Sequence, residues 1–193
     1  MDCFSLTARD FSRRAWLAAT LLAASCSRSK PLPIFNTVPP FQLTAQTGEP
    51  FQSERLGGAP WLASFFFASC NGPCPRMNTA IQQLQERTYT FKGLQIVSFT
   101  VDPERDTPEV LAAYAKRYRA DPARWHFLTG NREIINMVAK DGFQVGALDK
   151  EQSHSTRVML VDKKGRVRGH FSITENEEPA ALLASLSALY QES

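Results

Sequence analysis

The sequence contains no Cys-x-x-Cys and no paired-histidine motif, so the spacings by which structural zinc sites are recognised are missing. Histidine is scarce, with three residues in 193. There is no internal repeat and no low-complexity tract, which removes solenoids and compositionally disordered chains from consideration. Neither sign of charge dominates. The formal net charge is +3 and its bearers are evenly spread, so a nucleic-acid partner is not expected. The N-terminal apolar run from Ala15 to Ser25 is eleven residues long, short of the roughly 20 that a membrane-crossing helix needs. What is present is the composition of a globular protein, 43% hydrophobic and 21% charged, in a chain long enough for one domain with a sizeable core.

Residues 1–25 read as an export signal. Arg9, Arg13 and Arg14 precede the apolar run, whose length fits the apolar region of a signal peptide. Ser12-Arg13-Arg14-Ala15-Trp16-Leu17 resembles a twin-arginine export signal. Leu22-Ala23-Ala24-Ser25-Cys26 resembles a bacterial lipobox, in which the cysteine is lipidated and becomes the first residue. An uncleaved anchor and simple secretion are the alternatives. The lipoprotein reading discards Cys3, caps Cys26 and leaves Cys70 and Cys74 as the working thiols. It also puts the domain on the periplasmic side of the bacterial inner membrane. That compartment is oxidising, so a thiol pair working there must be kept reduced.

Residues 26–40, with Pro31, Pro33, Pro39 and Pro40, read as a stiff tether, and residues 41–193 as the folded domain. Phe41 to Phe51 has the pattern of a short hairpin turning at Gly48. Trp61–Ala68 and Leu94–Val101 read as strands, and Trp125–Leu128 as a shorter one. Between them, Thr107 can cap a helix that starts at Pro108 and buries Val110, Leu111, Tyr114 and Tyr118. Asn131 can cap another, ended by Gly142. Thr156–Val161 and Val167–Ile173 pair as a hairpin across Asp162–Gly165, and a last helix after Pro179 carries Leu182, Leu183, Leu186 and Leu189. Strands alternating with helices imply parallel pairing. The plan is α/β, a thioredoxin-like three-layer fold with an extra N-terminal β-hairpin.

The stretch around which this plan is organised is Trp61-Leu-Ala-Ser-Phe-Phe-Phe-Ala-Ser-Cys70-Asn-Gly-Pro-Cys74-Pro75. A buried strand runs into two cysteines, and a helix with Met77, Ile81 and Leu84 on one face follows. Pro75 suits the first helical position. Thiols near a helix N-terminus are expected to have a lowered pKa, which favours the thiolate that binds metal or attacks disulfides. Three chemistries stay open for the pair: a structural disulfide, a reversible disulfide and a two-thiolate metal clasp. A bridge over so short a loop constrains little chain entropy, which disfavours the first. Copper(I) prefers soft thiolates and copper(II) accepts sulfur with imidazole, but zinc could take the same ligands.

At this point the chain resembles the Sco/SenC family of copper-binding assembly factors for cytochrome oxidase, over about residues 35–190. Phe65-Phe-Phe-Ala-Ser-Cys70-Asn-Gly-Pro-Cys74-Pro75 matches the family's Cys-x-x-x-Cys-Pro segment. Ser98-Phe-Thr-Val-Asp102-Pro-Glu-Arg-Asp106-Thr-Pro108 and Trp125-His-Phe-Leu-Thr-Gly130 match two more. His154-Ser155-Thr156 falls where the family's copper-binding histidine lies. Two positions depart from the pattern: Asn71 stands where a proline is common, and Ser153 replaces the usual aspartate before the histidine. The resemblance implies copper, as Cu(I) or Cu(II) and one per chain, held by Cys70, Cys74 and His154. It implies a metallochaperone that delivers this copper to the copper A-bearing subunit of cytochrome c oxidase. The alternative is a thiol-disulfide oxidoreductase in which Cys70 and Cys74 reduce the cysteines of an exported partner, themselves recycled by a periplasmic thiol reductant; a peroxide-reducing thioredoxin-like enzyme is a third reading. Asp102 is expected to shape its loop or to accept backbone hydrogen bonds. His126 is expected to pack, His170 to face solvent, Met77, Met137 and Met159 to fill core, and Lys163, Lys164 and Arg166 to form a charged turn.

Overall fold

The computed structural model describes residues 31–145, 157–173 and 178–192. Eight strands and four helices follow one another along these residues: β1 (Asn36–Thr37), β2 (Gln42–Ala45), β3 (Pro50–Gln52), β4 (Trp61–Phe66), α1 (Pro73–Arg87), β5 (Gln95–Thr100), α2 (Pro108–Arg117), β6 (Trp125–Thr129), α3 (Arg132–Met137), β7 (Arg157–Val161), β8 (Arg166–Ser172) and α4 (Glu178–Gln191). They build one sheet in the order β1-β8-β7-β4-β5-β6-β2-β3. β4, β5 and β6 are parallel, as the strand-helix alternation requires, and β7 and β2 pair antiparallel on either side of them. The expected hairpins form: β2 with β3 around Gly48, whose φ of +82° is the left-handed turn that glycine enters without strain, and β7 with β8.

β4 is buried along its whole length because both faces of the sheet are covered. Leu62 and Phe66 face a core built with α1, α2 and α4, which supply Met77, Ile81, Leu111, Tyr114, Leu182 and Leu186. Trp61, Ala63 and Phe65 face a second core with Phe41, Phe51, Phe99, Val138 and Phe143. Most polar side-chain atoms inside these layers are paired; among the described residues Asn78 Oδ1 is buried without a hydrogen-bond partner. Ser64 and Ser98 hydroxyls meet at 2.8 Å across β4 and β5, and the Trp125 indole donates to Ser98 at 2.9 Å.

Three local expectations change. Residues 31–40, read as a tether, run against β8 from Leu32 onward: Asn36 and Thr37 pair with Val167 and Arg166, and the buried Arg168 guanidinium donates to the carbonyls of Leu32 and Pro33. Val110 is 40% exposed, since it lies off the stripe of Leu111, Tyr114 and Tyr118 that packs inward. After Met137 the helix capped by Asn131 widens into a π-turn over Val138–Gly142, so it ends at Gly142 as expected but with a wider last turn, and Gly142 sits where a Cβ would come within 3.0 Å of Pro39.

Candidate metal centre

β4 ends at Phe66, and the chain turns through Phe67–Gly72 before α1. The turn is closed by the Cys70 N–H donating to the Phe67 carbonyl at 3.2 Å. The first helical residue is Pro73 rather than Pro75, which stands at the third position. Both prolines are tolerated because the first N–H groups of a helix have no intrahelical partner. The consequence is that Cys74 belongs to the first turn of α1 and points with Met77, Asn78 and Ile81 into the core. Cys70 precedes the helix.

Both cysteines are free thiols, with exposures of 6% and 3%. The Cys74 thiol is hydrogen-bonded to Cys70 and faces the Phe67 backbone N–H. Its pKa moves opposite to the expected direction. Burial, followed by the hydrogen bond to Cys70, pushes it up to about 12, and the backbone N–H groups that favour thiolate are outweighed. Loss of water around the sulfur costs more than the helix N-terminus returns. A cation bound at Cys74 would reverse that balance, since coordination favours the thiolate. One turn along α1, the buried Asn78 amide donates to the Tyr114 hydroxyl at 2.9 Å, and Tyr114 stacks on Phe66.

The loop after β5 closes over the same end of the sheet. The Val101 N–H donates to the Phe66 carbonyl at 2.8 Å, extending the β4–β5 pairing. Asp102 is 1% exposed; its carbonyl accepts from the N–H groups of Arg105 and Asp106, and its carboxylate takes the Arg105 Nε at 2.6 Å. It shapes its loop, as expected. The carboxylate that accepts a backbone hydrogen bond from the cysteine loop is a different one. Asp106 Oδ2 accepts from the Ala68 N–H at 3.0 Å and from the Thr100 hydroxyl at 2.5 Å. No role for Asp106 follows from the sequence reading. The one available signal is that Thr107 caps α2, which leaves the buried neighbouring carboxylate free for another partner.

His154 and Ser153 lie outside the described residues, as do Cys26, Arg13 and Arg14. Among the described residues no group of three or more His, Cys, Asp or Glu is arranged to hold a metal; of the three expected ligands, Cys70 and Cys74 are described and lie together. His126 is packed in β6, 4.9 Å from the Phe51 ring and bonded to Gln95, and burial followed by the Arg55 charge depresses its pKa to about 4. His170 does not face solvent freely: it is half-buried, edge-on to Phe35 at 5.3 Å. Met77 and Met159 are core, and Met137 packs at its margin. Lys163 and Lys164 are exposed and rim a cavity of about 240 Å³ beside Trp61, at the opposite end of β4 from the cysteines. Arg166 pairs with Asp162.

Two soft, adjacent, dehydrated thiols beyond the carboxyl end of the parallel strand β4 suit a soft cation or a dithiol-disulfide couple. The SCO1/SenC family model matches residues 30–190. This chain belongs to the SCO1/SenC family. A Bacillus subtilis SCO1 protein homolog is 32% identical over 150 residues, covering 75% of this chain and 78% of the relative. Among solved structures similar to this SCO1/SenC chain, BsSco superposes with a TM-score of 0.75 at 27% identity, over 85% of this chain and all of that one. BsSco is described as having a disulfide switch and as a member of the Sco family of cytochrome c oxidase assembly proteins. Bradyrhizobium japonicum ScoI, solved with copper bound, superposes with a TM-score of 0.64 at 26% identity, over 78% of this chain and 98% of that one. The thioredoxin-like architecture with its added hairpin is thus that of Sco proteins, a copper-binding family of oxidase assembly factors.

Proposed function

We propose that this protein carries one copper ion on Cys70, Cys74 and His154 and delivers it to the copper A centre of a terminal cytochrome oxidase. The observation that carries the reading is the pair of buried thiols in mutual contact at the strand-to-helix turn. Chain topology supports the third ligand. β7 runs antiparallel to β4 with Ala63 opposite Met159, so its first residue, Arg157, stands level with the end of β4 that leads to Cys70. His154 is three residues before Arg157, and three residues span at most about 10 Å. Two thiolates and an imidazole hold both Cu(I) and Cu(II). Transfer then proceeds by ligand exchange with the acceptor's own thiolates.

In this reading the domain works outside the cytoplasmic membrane, attached through a lipid on Cys26. No described helix is long and apolar enough to cross a membrane itself. The second reading is reduction of an acceptor's disulfide by Cys70 and Cys74, with oxidase subunits as the first candidates. It is favoured by the free state of both thiols here and by the disulfide switch of BsSco.

Replacing His154 by Ala separates the two. With both cysteines intact, Cu(II) binding should fall at least tenfold, because its imidazole ligand is gone, while Cu(I) should be weakened less. Thiol-disulfide exchange should continue, since it depends on thiolate, leaving group and access. Oxidase assembly at limiting copper should fail. Full oxidase activity from this variant would make the oxidoreductase reading the better one.

A further inference from the structure

The Asp106 carboxylate stands outside the proposed ligand set, yet it is 1% exposed and tied to the peptide that leads into Cys70. A buried carboxylate is costly unless its position is used, and its pKa is raised, chiefly by that burial. It does not cap α2, because the Thr107 hydroxyl does that by accepting from the Val110 N–H. A single oxygen, Oδ2, instead joins two strand ends: the Ala68 N–H just past β4 and the Thr100 hydroxyl at the end of β5. The Thr100 hydroxyl in turn accepts from the Asp102 N–H at 3.0 Å, so its proton is committed to Asp106.

The effect on the cysteines runs through consecutive peptides. The Ala68 N–H is held by Asp106. The preceding N–H, of Phe67, faces the Cys74 sulfur. The Phe67 carbonyl accepts from the Cys70 N–H. Fixing Ala68 therefore fixes the orientation of the turn that offers one peptide group to each cysteine. The arrangement accompanies free thiols. Closing a disulfide requires bringing the sulfurs to about 2.05 Å with Cβ atoms about 3.8 Å apart, and a turn pinned to β5 resists such contraction.

We infer that Asp106 is a positioning residue that holds the Phe67–Cys70 turn in its open dithiol form, setting how readily the Cys70/Cys74 pair oxidises and how well it clasps copper. The inference rests on the reading of these cysteines as the working pair. With Asp106 in place the dithiol is preorganised. Without it the turn relaxes, the disulfide forms more easily and the two sulfurs lose their shared geometry for a metal.

The test equilibrates the soluble domain with glutathione. One glutathione disulfide takes two electrons from the dithiol and, with the two thiol protons, becomes two glutathione molecules; the protein is left with one S–S bond. Asp106→Ala should shift this equilibrium about tenfold toward the protein disulfide and weaken Cu(I) binding in a chelator competition by about tenfold, the lower end of the range for partners that orient metal ligands. Asp106→Asn keeps an acceptor for the Ala68 N–H and should fall close to wild type. Thr100→Val, which removes the hydroxyl that orients Asp106, should shift the equilibrium in the same direction as Asp106→Ala. Leu186→Ala, in the core under α4, should lower thermal stability without moving the equilibrium. An Asp106→Ala protein that folds yet stays within twofold of wild type, or shifts toward the dithiol, overturns the inference. Should Asp106→Ala fail to fold, Thr100→Val decides by the same criterion. A wild-type domain that neither oxidises reversibly nor binds copper overturns the underlying reading as well, so the two failures are distinguishable.

Discussion

At the scale of single residues, the decisive competition is between burial and the helix N-terminus at Cys74. Sequence position alone places a thiol beside a helix start, where the dipole contributes about 0.3–1 kcal/mol toward the charged form. The structure adds a quantity that position cannot reveal: the side chain is 3% exposed and shares a hydrogen bond with Cys70. With the Cys74 pKa raised to about 12, the metal-free thiol stays protonated through the physiological range. We expect iodoacetamide, near pH 8.5 where an exposed thiol is about half ionised, to leave Cys74 of the folded metal-free domain unmodified while labelling both cysteines after denaturation. Peptide mass mapping of the labelled sites checks this, and the Cys74 labelling rate should keep climbing well above pH 9. Rapid native labelling of Cys74 would contradict it. Asp106 is the complementary case. Its residue type was visible within the matched segment, but its partner, the Ala68 N–H, is 38 positions away in the turn after β4.

At the scale of elements, the features legible in the sequence are those whose cause is local. Thr107 accepts from the Val110 N–H, and Asn131 accepts from the N–H groups of Glu133 and Ile134 at 2.7 and 3.2 Å, so both helix starts fall where short polar side chains announce them. Thr107→Ala should destabilise the domain by about 1 kcal/mol. Urea unfolding should show this as a lower midpoint with an unchanged slope. What was not legible depends on distant partners. β1 is two residues long and exists because β8 offers its edge and Arg168 collects the carbonyls of Leu32 and Pro33. Pro73 and Pro75 satisfy the same local rule for a helix start, and only the turn closed at Phe67 and Cys70 selects Pro73.

At the scale of the whole molecule, function follows from which ends of the strands coincide. Parallel β4 and β5 both finish at the end where Cys70 and Asp102 begin their loops, and antiparallel β7 starts there. The sheet thus directs two separate stretches of sequence, 67–74 and 101–107, and the first residue of β7, Arg157, toward one end. The charged Lys163–Lys164 turn is kept at the other. Alternating strand and helix patterns were enough to anticipate this plan, since parallel strands require it. The depth at which the thiols are buried had to come from packing of Phe66, Met77 and Tyr114 around them. In the proposed function the Cys70/Cys74 dithiol is the copper clasp. The most direct measurement is the Cu(I) stoichiometry of the metal-free soluble domain, taken on the reduced protein, on its intramolecular disulfide and on a Cys70→Ser, Cys74→Ser double variant. The account predicts about one tightly held copper for the dithiol and none for the other two, because neither offers a thiolate. Undiminished copper binding by the disulfide form or by the double variant would contradict it.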